Sequence, residues 1–91
     1  MTDKRIRFQA GTVVATIGAT MVATTEQIRA MVARHLSGDW GDLDESDKKA
    51  NDDAVKWGDR ILSSYHINGE KLWVETTADR ESTCVMTPGE Y

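Results

Sequence analysis

The sequence predicts an α+β fold: a three- to four-stranded antiparallel sheet, built from a C-terminal meander and an N-terminal strand, packed by two helices. Three observations carry that prediction. Asn68-Gly69 separates the runs 60–67 and 70–76, and an Asn-Gly pair between strand-like runs is the strongest short hairpin signal, because both turn positions need positive φ. Thr24 with Gln27 three residues on has the form of a capping box, and Ile28, Met31, Val32 and Leu36 follow at helical spacing. Ala50, Ala54 and Trp57 fall at i, i+4 and i+7 behind Asp44 and Ser46, either of which can cap a second helix.

In chain order, the stretch from Phe8 to Thr16 carries Val13, Val14 and Thr16 with the β-branched content of a strand, and Gly11 inside it permits a bulge or a close backbone approach. Gly18 breaks the pattern and leaves Ala19 to Ala23 for one short helical turn. The first long helix spans about Thr25 to Ser37 and ends where Gly38 can form a left-handed cap. Gly38 and Gly41 flank Asp39 and Trp40, a corner expected to use backbone angles closed to other residues. In the second long helix Glu45 and Asp47 occupy the first turn, where the helix dipole favours carboxylates. Its stripe turns Ala50, Ala54 and Trp57 inward and Lys48, Lys49, Asp52, Asp53 and Lys56 outward. Asn51, at the margin, is expected to bond a loop carbonyl or amide, since a buried amide without a partner costs about 1 to 3 kcal/mol. Gly58 ends the helix. The two-residue turn then sets Ile67 opposite Glu70, Tyr65 opposite Leu72 and Ser63 opposite Val74 on the core face, with Leu62, His66, Trp73 and Glu75 on the other. Residues 78–81 turn the chain into a last strand from Thr83 to Met86, pairing Val85 with Val74, and Pro88 stops it ahead of a short tail, Glu90 and Tyr91.

Ninety-one residues suit one domain over 1–91, because a chain of this size buries only about two thirds of its extended surface and cannot divide that into two cores. Hydrophobic residues at 40% and charged residues at 29% match ordinary globular usage, which argues against disorder. Cys84 is the one cysteine, so no internal disulfide, zinc site or redox pair can be assembled from thiols. A reducing compartment fits. The longest apolar region, Val13 to Ala23, is interrupted by Thr16, Gly18 and Thr20, is too short to span a bilayer and lacks the layout of a signal peptide, so the expected location is cytoplasmic.

Charge is uneven along the chain. Residues 1–37 hold Lys4, Arg5, Arg7, Arg29 and Arg34 against Asp3 and Glu26, giving +3, whereas residues 38–59 hold eight acids against Lys48, Lys49 and Lys56, giving -5. The net of -4 argues against a nonspecific nucleic-acid binder, which needs clustered cations to neutralise phosphates, and the basic tip Lys4, Arg5, Arg7 is too short to reverse that. The plainest reading of the acidic segment is a solvated face that keeps a small protein soluble; a surface that recognises a basic partner is the sharper one.

Each tempting site residue has a duller explanation. His35 lies near the C-terminus of the first long helix, where the dipole favours a cation, so a structural or capping role is expected rather than catalysis or metal binding, and His66 reads as an exposed strand residue beside the turn. The run Asp42, Asp44, Glu45, Asp47 lacks the central glycine and closing glutamate of a calcium loop, so no metal or other cofactor is expected. Trp40, Trp57 and Trp73 are each more often core than ligand platform, and Trp40, between Asp39 and Gly41, is the one expected to be partly exposed. Cys84 in a strand reads as a small buried hydrophobe without a base. An enzyme would need a site assembled from His35, Asp39 and Asp42, or from His66 and Cys84, and neither supplies a nucleophile with its base.

Gly11-Thr-Val-Val-Ala-Thr16 with Gly18-Ala19, then Arg34-His-Leu-Ser-Gly-Asp-Trp-Gly-Asp42, Asp47, Asn51, Arg60-Ile-Leu-Ser-Ser-Tyr65, Trp73-Val74, Ala78-Asp79-Arg80 and Pro88-Gly-Glu-Tyr91 resemble a family of small bacterial proteins carried on plasmids, prophages and other mobile elements. The match covers nearly the whole chain. Members are called plasmid-related or labelled as a subunit of a type I restriction system, a label their size does not support, since a modification subunit needs a full methyltransferase domain. This chain departs from the pattern at Glu75-Thr76-Thr77 and at Met86-Thr87. The resemblance implies a mobile-element setting, and with the acidic surface it leads us to expect a non-enzymatic accessory protein that binds a host protein, in its sharpest form an anti-CRISPR or anti-restriction inhibitor whose carboxylates stand in for DNA phosphates. The residues expected to carry the contact are Asp39, Trp40, Asp42, Asp44, Glu45, Asp52 and Asp53. The expected partner is a host protein with a basic surface, not nucleic acid or a membrane, and the chain itself is expected to be a monomer or homodimer. The alternative is a self-associating or antitoxin-like module that pairs through a sheet edge or the tryptophan corner.

Overall fold

The computed structural model describes residues 6–91, so Lys4 and Arg5 of the basic tip lie outside the described residues. In order the elements are β1 (Thr12–Ala15), α1 (Ile17–Val22), α2 (Thr25–Leu36), α3 (Glu45–Trp57), β2 (Ile61–Ile67), β3 (Glu70–Thr76) and β4 (Ser82–Met86), closed by a 3-10 turn at Pro88–Glu90. This is the expected α+β arrangement, with a four-stranded sheet in the order β1-β4-β3-β2. One feature differs from an all-antiparallel sheet: β1 runs parallel to β4. No tight turn joins β1 to a neighbour, and three helices intervene before β2, so nothing local forces the antiparallel sense.

The β2–β3 hairpin has the predicted register, with Tyr65 opposite Leu72 and Ser63 opposite Val74, and Asn68 and Gly69 take φ of 53° and 79°. On β4, Val85 faces Val74 and Met86 faces Trp73. The start of α2 also follows its sequence: the Gln27 amide N–H donates to Thr24 Oγ1 at 3.1 Å, and the Thr24 N–H donates back to Gln27 Oε1 at 2.9 Å.

The N-terminal strand is shorter than the sequence suggests. Phe8 belongs to the irregular segment ahead of β1, is buried, and packs with Trp40, Ala54 and Ile61. The single helical turn expected at Ala19 to Ala23 is a six-residue helix, which makes three helices rather than two. The tail is not free. The Thr16 hydroxyl donates to Glu90 at 2.6 Å, and the Gly18 N–H donates to the same carboxylate at 3.1 Å, tying the C-terminus to the start of α1.

A larger cluster packs Ala19, Ala23, Met31 and Val32 against the sheet residues Tyr65, Leu72, Val74 and Val85, with Ile28 at its margin. The second cluster contains Phe8, Trp40, Ala54 and Ile61, and Leu36 touches both. Trp57 does not join either. It was expected inward with Ala50, yet Trp57 is 76% exposed and Ala50 is also exposed. The helix is rotated because Asn51 is its inner residue: its Nδ2 donates to the Leu62 carbonyl at 2.7 Å and its Oδ1 accepts from the Leu62 N–H at 3.3 Å. That two-way bond to strand β2 sets Asn51, Ala54 and Val55, not Ala50 and Trp57, as the packed stripe.

Candidate binding surface

The expected contact residues lie on the loop after α2 and on α3. Gly38 and Gly41 take φ of 91° and 74°, as the corner predicted. The requirement is strict at Gly41. Ser64 N–H donates to the Trp40 carbonyl at 3.2 Å and Asp42 N–H donates to the Ser64 carbonyl at 2.7 Å, so the loop runs along β2 as a short parallel bridge. A Cβ at Gly41 would overlap the Ser64 carbonyl oxygen, and an L side chain would strain the positive φ as well.

Trp40, expected to be partly exposed, is 4% exposed. Its ring stacks on Phe8 at 6.2 Å and meets the edge of His35 at 6.0 Å, while the indole N–H donates to Asp52 Oδ1 at 3.0 Å. A loop can bury an indole when its one polar atom finds an acceptor. Trp40 is therefore an internal anchor of the corner.

The acidic residues are mostly engaged at home. Arg34 binds Asp39 through two hydrogen bonds of 2.6 and 3.2 Å, which raises the guanidinium pKa, and lies over the Tyr65 ring at 4.5 Å. The Tyr65 hydroxyl donates to the Asp39 carbonyl at 2.6 Å, and burial pushes its pKa up to about 12. Asp42 pairs with His66 Nδ1, and that hydrogen bond holds the carboxyl below its usual range. Asp44 caps α3 by accepting from the Asp47 N–H at 2.8 Å. Asp52, expected to project freely, accepts from both Arg7, at 3.3 Å, and Trp40. Asp53 pairs with Lys49 at 3.4 Å and Glu45 with Lys48 at 3.9 Å along an exposed face. The contrast between a basic N-terminal third and an acidic middle is thus partly cancelled in space by Arg7 with Asp52 and Arg34 with Asp39.

His35 corrects another expectation. Instead of a charged residue at a helix end, it is fully buried, with Nδ1 2.6 Å from Ser63 Oγ and Nε2 2.9 Å from Thr76 Oγ1. The neighbouring bonds assign its proton: Thr83 donates to the Ala10 carbonyl at 2.8 Å, so Thr83 accepts from Thr76 at 2.6 Å, and Thr76 must accept from His35 Nε2–H. Ser63 then donates to Nδ1. Desolvation, with the charge of Arg80 second, lowers the pKa to about 4 and keeps the ring neutral. His66 is exposed as expected, and the half-buried Cys84 thiol is pushed up by burial and by the charges of Glu75 and Glu90. Among the described residues, no group of three His, Cys, Asp or Glu side chains could hold a metal ion.

An open groove of about 320 Å³ runs between α3 and the start of β2, lined by Leu43, Ala50, Ala54 and Leu62 together with the polar Asp47, Asn51, Asp59 and Arg60. Trp57 lies one turn beyond Ala54 in sequence but faces solvent, outside the residues that line the groove. Neither the groove nor the exposure of Trp57 is visible in the sequence pattern, which makes Ala50, Ala54 and Trp57 look like a core stripe. The available signal was Asn51 beside Ala54 and Val55, an alternative stripe containing one polar residue.

No family model matches the sequence, no curated protein is significantly similar to it, and no solved structure significantly matches its fold. No helix among the described residues is long and apolar enough to cross a membrane.

Proposed function

We propose that the chain is a non-enzymatic accessory protein of a mobile element that binds a host protein in the cytoplasm, with a basic surface of a defence complex as its target. The observation that carries the reading is Trp57, an indole 76% exposed on an acidic helix, one helical turn along the chain from Ala54, which with Asp47 and Asp59 lines a groove. Exposed tryptophans are frequent interface anchors, and an exposed indole face on an acidic segment suits a lysine or arginine side chain of a partner. Glu45, 95% exposed at its side chain, and Asp53 extend the same helix as rim contacts that steer a basic partner. Asp39, Trp40, Asp42, Asp44 and Asp52 support that surface from below by fixing the loop and the start of α3. The family resemblance supplies the genomic setting. The test is expression of the chain in bacteria carrying an active CRISPR or restriction system, scored by plaque formation of a targeted phage. The chain should restore plaques, and Trp57→Ala should abolish the rescue while the protein stays folded by circular dichroism. Failure to protect against either kind of system would overturn the anti-defence reading. Protection that survives Trp57→Ala together with Asp47→Lys and Asp59→Lys would overturn the assigned surface.

A further inference from the structure

The two edges of the sheet differ in what covers them. Beside β2, Asn51 satisfies both backbone groups of Leu62, and residues 40–42 do the same for Ser64. Beside β1 no other described strand pairs. The Thr12 N–H donates to the Glu81 carbonyl and the Thr16 N–H to the Val85 carbonyl, both at 2.9 Å, so by strand alternation Thr12, Val14 and Thr16 face β4. The N–H and C=O groups of Val13 and Ala15 therefore point outward. The strand Thr12–Ala15 is short, but it carries neither charge nor proline to protect its edge. Val13 and Val14 are each 47% exposed, and Ile17 and Met21 beyond them are exposed as well.

We propose that this edge is the interface of a homodimer, in which β1 pairs antiparallel with β1 of a second copy about a two-fold axis at Val14. The proposal is independent of the host-partner reading. A register centred on Val14 sets Val13 opposite Ala15 of the second copy and the reverse, so the outward groups of both chains are satisfied by about four backbone hydrogen bonds. Val14 meets its own copy as a close, non-hydrogen-bonded pair of apolar side chains. Continuing the register brings Ile17 toward Gly11 of the second copy, where there is no side chain to obstruct it. Charge does not oppose a copy at this edge: the chain carries -4, so two copies repel in general, but the strand is uncharged and places no like charges against each other across the axis. Closure selects a copy. A two-fold pairing uses both β1 edges and leaves outside only the β2 edges, which are covered at Leu62 and Ser64, so the assembly stops at two, whereas a partner strand with its own free edge would leave the sheet open.

Sedimentation velocity and light scattering from about 10 to 500 µM should show a species of about twice 10.1 kDa. Val14→Lys, which sets two cations face to face on the axis, should weaken the dimer by about tenfold or more. Val13→Pro removes an outward N–H without removing a bond to β4 and should do the same, with circular dichroism unchanged in both variants. In the unaltered protein, hydrogen exchange at the Val13 and Ala15 amides should slow as concentration rises, a readout that needs no variant. A monomer throughout the range, amide exchange at these two positions independent of concentration, a dimer that survives both substitutions, or growth beyond two copies would each overturn the proposal.

Discussion

Along β2, a buried asparagine, an indole and a glycine-positioned loop occupy the sheet edge; along β1, among the described residues, the backbone groups of Val13 and Ala15 face outward beside exposed valines. The β2 side is held by partnered polar groups in low dielectric, where each bond is strong and each missing partner is costly. The β1 side is anchored by parallel pairing to β4 and by a surface carboxylate from the tail. One edge is therefore closed at a high cost of disruption, and the other is left available for association at a low one. Substitutions should separate the two sides by size of effect.

The largest effect belongs to Asn51. Asn51→Ala leaves the N–H and C=O of Leu62 without partners and should cost about 3 kcal/mol in chemical denaturation. A loss below about 1 kcal/mol would mean that water replaces the side chain and that the β2 edge is no better closed than β1. Next comes the pH response of His35. Its folded pKa of about 4 lies below the ordinary 6.5, so the unfolded chain binds the proton more readily. Its contribution is complete above the unfolded value and is lost as the pH falls from there toward 4. Stability should drop by about 2 kcal/mol between about pH 7 and pH 5, and His35→Gln should remove most of that slope. An identical slope in the variant would assign it to other groups.

The same contrast explains what the sequence revealed. The β2–β3 register was legible because Asn68-Gly69 fixes it locally, and the start of α2 was legible because Thr24 and Gln27 cap each other within one turn. The phase of α3 was not, since it depends on Asn51 reaching Leu62 in another element, and alanine at 50 and 54 packs or faces water with little difference. Trp40 pointed outward in the sequence because nothing nearby in the chain shows Phe8 and His35 as ring neighbours or Asp52 as the indole's acceptor. The acidic segment was legible as composition only. Its pairing with Arg7 and Arg34 is a property of three dimensions, and it divides the seven expected contact residues into supports of the fold and exposed groups such as Glu45 and Asp53.

Asp52 and Asp53 are neighbours of equal charge that belong to opposite sides of that division. Asp52→Lys removes the acceptor of the buried Trp40 indole and sets a cation beside Arg7, so it should cost about 1 to 2 kcal/mol. Asp53→Lys loses only an exposed pair with Lys49 and should stay within about 0.5 kcal/mol. Equal losses would show that the indole bond adds nothing to the corner.

An effect smaller than that of Asp52→Lys is expected at Glu90, the anchor of the β1 side. The Thr16 hydroxyl, then the Thr87 amide and hydroxyl, hold its carboxyl down to about 2, so the folded state keeps the charge that the unfolded chain gives up near 4.5. That contribution is present above the unfolded value and is lost as the pH falls toward 2, the opposite end of the acid range from the onset of the His35 effect. Because the group is fully exposed, water screens the interaction, and Glu90→Gln should lower the midpoint of thermal unfolding at neutral pH by less than Asp52→Lys does. Its signature is the shape of the acid limb: the variant should lose less stability than the parent between about pH 4 and pH 2, while the slope from pH 7 to pH 5 stays as it was. A loss as large as that of Asn51→Ala would place the C-terminal tie among the main supports of the fold, and the asymmetry between the two edges would fail.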